Sequence, residues 1–260
     1  MPSRIIPLLL ALTLLGGCSY FQDKEEEDPT ESWSAERLYN EAKSSLDAGY
    51  YDEAAKYYEK LQIRYPFGVY AQQSQLDLAY AYYKSGDMAA AVAACDRFIK
   101  MHPRHPAVDY AYYLKGLAHF MEGKGLTQKY LPTDVSQRDM GSAYLAFQDF
   151  SDLTRKFPDS KYVEDAQKRM VYLRNLLAEH EVEVGEFYLR RKAYVAALNR
   201  GRYVVEKFPR APATPDALAL MAKAYKILGM DDLYADTVRV LRLNYPDSRA
   251  LAELESIRVK

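Results

Sequence analysis

Cysteine is almost absent: Cys18 and Cys95 are the only two in 260 residues. Cys95 falls in a helical pattern and reads as a small buried apolar residue. No disulfide framework is therefore expected. Glycine and proline are scarce, at 12 each, which argues against a turn-rich all-β fold. Charge of either sign is not in excess, with 35 basic and 36 acidic residues. A net charge of −1 gives no electrostatic case for a nucleic-acid partner. No apolar run approaches the roughly 20 residues that a membrane-spanning helix needs. Catalytic signatures are missing as well: there is no Gly-x-Ser-x-Gly, P-loop, GxGxxG or His-Glu-x-x-His. His102 and His105, in HPRHP, have no Cys or Glu nearby at metal-ligand spacing. His119 and His180 read as helix-packing residues. No catalytic residue, metal or cofactor is expected, and the chain does not read as an enzyme. What is present is apolar content of 49%, enough for a core, and 24 tyrosines.

The N-terminus reads as an export signal. Arg4 precedes an apolar stretch, Ile5 to Leu15, of eleven residues, too short to span a bilayer. The end of that stretch, Leu15-Gly16-Gly17-Cys18, resembles the lipobox of bacterial lipoproteins. That resemblance implies cleavage before Cys18 and a covalent lipid on its sulfur, with several acyl chains making a stable anchor. Ser19 follows, and by the same resemblance a residue other than Asp there favours the outer membrane. Ser19 to Ser32 is acidic, holds Pro29 and shows no apolar period, so it reads as a flexible tether. The expected organisation is a signal peptide at 1–17, a lipidated acidic tether at 18–33 and a folded region at 34–260.

That region repeats. Five aromatic-or-His-plus-proline pairs recur: Tyr65-Pro66, His102-Pro103, Phe157-Pro158, Phe208-Pro209 and Tyr245-Pro246. Twelve residues before the first four prolines stand Ala54, Ala91, Ala146 and Ala197; the fifth position is Tyr234, with Ala235 one step late. Twelve further back lie Ala42, Ala79, Gly185 and Ala222, with Gly116 in this role in the third repeat. Gly49, Gly86 and Gly229 mark turns in between. The pattern resembles the tetratricopeptide repeat. Small residues at two sites let paired helices approach closely. Tyr51, Tyr58, Phe98, Phe150 and Tyr194 fill the space around them. Proline cannot continue a helix, so each one marks the end of a second helix. One pair cannot bury its apolar face alone, so the pairs must stack. The expected fold is all-α, a right-handed tetratricopeptide superhelix of about five helix pairs.

Two segments depart from the period. Lys124 to Gly141 lengthens the turn inside the third repeat, either as a binding insertion or as a tolerated surface loop. Lys161 to Arg191 has no proline, and Val163, Ala166, Met170, Leu173 and Leu177 form a 3-4-3-4 stripe. One helix of about 30 residues is expected there, joining the front repeats to the back ones.

Longer strings then carry a specific likeness. RYPFGVYAQQSQLDLAYAYYKSGD at Arg64–Asp87, DRFI at Asp96–Ile99, AFQDFSDL at Ala146–Leu153 and ALNR at Ala197–Arg200 resemble the BamD (ComL) family of outer-membrane β-barrel assembly lipoproteins. The resemblance covers nearly the whole chain. It implies a non-enzymatic scaffold and substrate receptor, anchored by lipid to the outer membrane and facing the periplasm. It implies docking on a POTRA domain of a BamA-type subunit, contact with other assembly lipoproteins, and binding of the C-terminal segments of unfolded barrel proteins. Arg200 is the residue it places toward the POTRA domain. In tetratricopeptide pairs the first helix lines the groove, which puts Tyr80, Tyr83, Tyr113 and Phe120 at candidate groove positions. The same rings could instead pack between neighbouring repeats. The competing reading is an envelope lipoprotein that binds or modifies peptidoglycan.

Overall fold

The computed structural model describes residues 28–122 and 140–256. Cys18, the signal peptide and lipobox, and residues 124–139 of the insertion lie outside the described residues. Eleven helices follow one another, with no strand among the described residues. They are α1 (Ala35–Ala48), α2 (Tyr51–Arg64), α3 (Ala71–Ser85), α4 (Met88–Met101), α5 (Val108–Glu122), α6 (Gly141–Lys156), α7 (Val163–Arg190), α8 (Tyr194–Lys207), α9 (Thr214–Ile227), α10 (Asp231–Asn244) and α11 (Arg249–Ser256). Each helix but the last packs chiefly on its neighbours in sequence, as in a stacked array of helix pairs, and the last packs chiefly on α9.

The five prolines do the same work each time. The residue before each is the helix C-cap, and its N–H donates to the carbonyl four residues back, at 2.8–2.9 Å: Tyr65 to Leu61, His102 to Phe98, Phe157 to Leu153, Phe208 to Val204 and Tyr245 to Leu241. All five caps share φ near −130° with ψ between 48° and 66°, outside the α region that a following proline disfavours. The turns inside the pairs use left-handed residues: Gly49, Gly86 and Gly229 as the sequence indicates. In the fourth repeat Lys192 takes that conformation, with φ of 63° and no glycine to ease it.

The small residues lie where helices touch. Ala42, Ala54, Ala79, Ala91, Ala146, Ala197 and Ala222 are fully buried. A Cβ on Gly116 would sit 2.6 Å from the Phe150 ring, and one on Gly185 would sit 2.3 Å from a Leu220 methyl. Tyr58, Phe98 and Phe150 are the large rings sealed around them. The fifth repeat is looser: Ala235 is exposed, and Thr237 and Leu241 are buried instead. A short final helix, α11, covers it by burying Ala250, Leu251 and Leu254 against Leu218, Ala219 and Leu241. The long connector expected at Lys161–Arg191 is α7, 28 residues, buried through Ala166, Leu173 and Leu177.

One boundary is corrected. The stretch read as the end of a free tether is folded from Asp28 onward. Asp28 accepts from Lys60 at 2.7 Å and Arg64 at 2.5 Å, and Thr30 is buried. Arg64 also donates to the Thr30 carbonyl, and Trp33 stacks on Tyr57 with ring centroids 5.7 Å apart. Two cations on one helical turn of α2 give the acidic segment a fixed partner, which local composition does not reveal.

Candidate protein-docking surfaces

Arg200 lies on α8 where it faces the C-terminal half of α7. Its Nη1 donates to Glu181 Oε2 at 2.9 Å, and its guanidinium stands 5.9 Å over the Tyr188 ring. The hydrogen bond to Glu181 is the main reason its pKa is raised above the usual arginine value. Gly185 makes this approach possible: a Cβ there would come within 3.2 Å of the Arg200 Cβ. The side chain stays 42% exposed while Glu181 is only 17% exposed. Arg200 is thus a half-exposed guanidinium with one carboxylate already attached, and its orientation is set by α7. That leaves donors free to meet an acidic group from outside.

The four candidate groove rings divide. Phe120 is 7% exposed and belongs to the core that α5 to α9 share. Arg169 caps its face at 5.0 Å. It is a core residue, and the expectation that it lines an open groove is corrected. Tyr113 is committed to the neighbouring repeat: its hydroxyl donates to Asp165 at 2.7 Å and its ring stacks on Tyr162 at 4.7 Å. Tyr80 and Tyr83 on α3 are half-buried at the junction of the first repeats. Neither hydroxyl makes a hydrogen bond among the described residues. A half-buried ring with a free hydroxyl is suited to an extended peptide, since it offers both apolar area and a polar tip.

Three polar clusters carry no sequence signature. Asp77 accepts from Tyr39 at 3.1 Å, Tyr58 at 3.3 Å and Gln73 at 2.8 Å. Desolvation raises its pKa against those hydrogen bonds. Asp149 accepts from His119 Nδ1 at 2.6 Å and from Lys115 at 3.3 Å; Lys115 also reaches Asp96 at 2.8 Å. The clamp on Asp28 is the third. His119 therefore does pack within the helices, but as one arm of a polar network centred on Asp149. His102 bonds Gln75 and His105 caps Ala107, so HPRHP shapes the α4–α5 turn. Burial pushes the Cys95 thiol up to about 12. Among the described residues no three His, Cys, Asp or Glu could hold a metal ion together, and no helix is long and apolar enough to cross a membrane.

A family described as "YfiO: Outer membrane lipoprotein" matches residues 31–241. The chain is 40% identical over 253 residues to the outer membrane protein assembly factor BamD of Neisseria meningitidis serogroup B, spanning 97% of this chain and 95% of the relative. It is 39% identical over 236 residues to BamD of Vibrio cholerae, spanning 91% and 96%. Among solved structures, the TPR2AB domain of yeast Sti1 in complex with pHSP90 aligns with a TM-score of 0.39 at 14% identity, covering 85% of this chain and 83% of that one.

Proposed function

The chain belongs to the YfiO outer membrane lipoprotein family, with BamD assembly factors as close relatives, and from that premise we propose a division of labour along the array. The protein is an outer membrane protein assembly factor. Its contribution is non-catalytic. A lipid on Cys18 holds it to the outer membrane from the periplasmic side. The front repeats receive C-terminal segments of unfolded barrel proteins at Tyr80 and Tyr83. The back repeats dock a POTRA domain of a BamA-type subunit at Arg200, and further assembly lipoproteins share the surface.

The observation that carries this reading is the likeness to BamD proteins along almost the full length of both chains. The geometry supports the division. Tyr80 and Tyr83 lie on α3 and Arg200 on α8, with the unbroken helix α7 between the two groups. A helix of 28 residues is about 42 Å long and holds the surfaces at a set distance. Substrate held at one end is thereby kept near the insertion machinery docked at the other.

Co-purification from detergent-solubilised membranes tests it. Elution with a POTRA-containing barrel subunit is the expected result. Retention on the peptidoglycan sacculus without that subunit would favour the peptidoglycan reading instead. For the anchor, metabolic palmitate label should be lost from the Cys18→Ser variant, and persisting label would remove Cys18 from the account.

A further inference from the structure

The three most exposed large apolar side chains among the described residues are Phe67 at 89%, Val69 at 87% and Ile63 at 79%. They share one tip, where α2 ends and the chain turns into α3. Pro66 stops the helix, and Gly68, with φ of +119°, turns the chain; a Cβ on Gly68 would meet nothing within 4 Å. The tip projects into open space. The end of α4 brings the exposed Met101 alongside, across a cleft of about 650 Å³ lined by Ile63, Pro66, Phe67, Ala90, Ala94 and Met101. Arg97 and Glu59 line the same cleft, and Lys100 and Arg104, exposed on the same end of that repeat, leave the cations in excess. The feature is an apolar prow with a cationic flank.

The N-terminal chain joins the fold at this place. Asp28 is bound by Lys60 and Arg64, and the Tyr65 hydroxyl donates to the Trp33 carbonyl at 2.9 Å. These partners lie on the last turns of α2, the same turns that carry Ile63 and lead into Phe67. Ten residue steps separate Cys18 from Asp28, a reach of at most about 35 Å. A lipid on Cys18 therefore keeps this tip within reach of the bilayer. Leu243, the next most exposed apolar side chain, lies on α10 at the other end of the array.

We infer that Phe67 and Val69, with Ile63 and Met101 beside them, form a second contact with the lipid surface that sets the first repeats down on the membrane next to the anchor. The inference rests on the proposed lipid anchor at Cys18. Aromatic and aliphatic side chains at an exposed turn partition into the interfacial zone, and flanking Arg and Lys favour anionic headgroups. Each contact raises the effective concentration of the other, so weak insertion of a short tip suffices. The front of the array gains a fixed attitude to the membrane in place of free swing on the tether.

The test uses the mature chain, 18–260, with Cys18 replaced by serine and a hexahistidine tag at its N-terminus. Vesicles of phosphatidylethanolamine and phosphatidylglycerol carry a nickel-chelating lipid that supplies the anchor. The outcome then does not depend on whether the cell lipidates Cys18, which mass spectrometry of the natural protein reads separately. An environment-sensitive nitrobenzoxadiazole label is placed at Phe67→Cys, at Val69→Cys and, for comparison, at Leu243→Cys; Cys95 is buried. On vesicles, labels at 67 and 69 should shift to the blue and be quenched by nitroxide-bearing lipids, while the label at 243 stays as in buffer. At a chelating-lipid density low enough that the tag alone binds weakly, Phe67→Asp with Val69→Asp should weaken vesicle binding about tenfold or more. Labels at 67 and 69 that remain water-like on tethered protein would overturn the inference. So would a shift produced only by solubilised assembly subunits and never by vesicles, which would assign the tip to a protein partner.

Discussion

Gly201→Ala sets two effects of opposite sign against each other. Gly201 lies on α8, where α9 crosses it. A Cβ at this position would come 2.7 Å from Met221 Cγ and 2.8 Å from the Ala217 carbonyl oxygen. The methionine can turn aside. The carbonyl cannot, because it belongs to the backbone of α9. The two helices must therefore part by roughly half an ångström, and with rigid backbone as the partner the cost lies in the upper part of the range for overpacking, about 2–3 kcal/mol. Alanine in place of glycine within a helix returns about 1 kcal/mol. The clash wins, leaving a net loss of about 1–2 kcal/mol. For a domain of this size each kcal/mol moves the thermal midpoint by about 2–4 °C. The midpoint, followed by circular dichroism, should fall by about 2–8 °C. A midpoint at or above that of the parent protein would show that propensity dominates, and would refute the close α8–α9 contact.

Other substitutions separate the remaining claims. Cys95, buried with its pKa pushed up to about 12, should resist thiol reagents at pH 8 in the folded Cys18→Ser chain and react fully in denaturant; rapid labelling of folded protein would contradict its burial. Asp28 is held below the usual carboxylate range, first by its hydrogen bond to Lys60. Its contribution is complete above the ordinary value of about 4 and is lost only as pH falls through the lower folded value. Emission of Trp33, the sole tryptophan, should thus be flat from pH 8 to about 4 and change in Asp28→Asn at neutral pH; titration between pH 5 and 7 would refute the clamp. Arg200→Ala should weaken binding of isolated POTRA domains by more than about tenfold in calorimetry, with Arg200→Lys rescuing in part, while stability falls by under about 1 kcal/mol; affinity unchanged by the Ala variant would leave Arg200 as a local partner of Glu181. Tyr80→Ala with Tyr83→Ala should cost a C-terminal barrel peptide about 2 kcal/mol or more by fluorescence anisotropy at unchanged helicity, and equal affinity would retire the groove.

Features that depend on chain chemistry at one position are legible in the sequence. Proline cannot continue a helix, so Pro66 to Pro246 mark five helix ends. A crossing of two helices admits only small side chains, so Ala54, Ala146 and Gly185 mark the contacts. The stripe from Val163 to Leu177 gives α7 for the same reason. Features that need two distant positions together are not legible. Asp28 is one acid among many until Lys60 and Arg64 fold beside it. His119 looks like any helical histidine until Asp149 arrives from α6. Lys192 in a left-handed turn follows from the geometry of the fourth pair and not from its own preference. The candidate rings fail in the same way. Groove position on α5 is a matter of helix phase, and Phe120 falls inside because Arg169 and Tyr172 on α7 close over it. The small-residue rule also weakens in the fifth pair, where Ala235 is exposed and Thr237 and Leu241 are buried instead.

The central claim is that this chain assembles outer membrane proteins, and depletion in its native host tests it most directly. The gene is placed under a repressible promoter, and outer membranes are collected as the protein runs down. Folded barrels are scored by their resistance to denaturation in unheated detergent gels. The account predicts that folded barrel proteins fall in step with the depleted protein and that unfolded precursors accumulate in the periplasm. Folded barrels persisting at their starting level after the protein is gone, with a change confined to peptidoglycan, would contradict it.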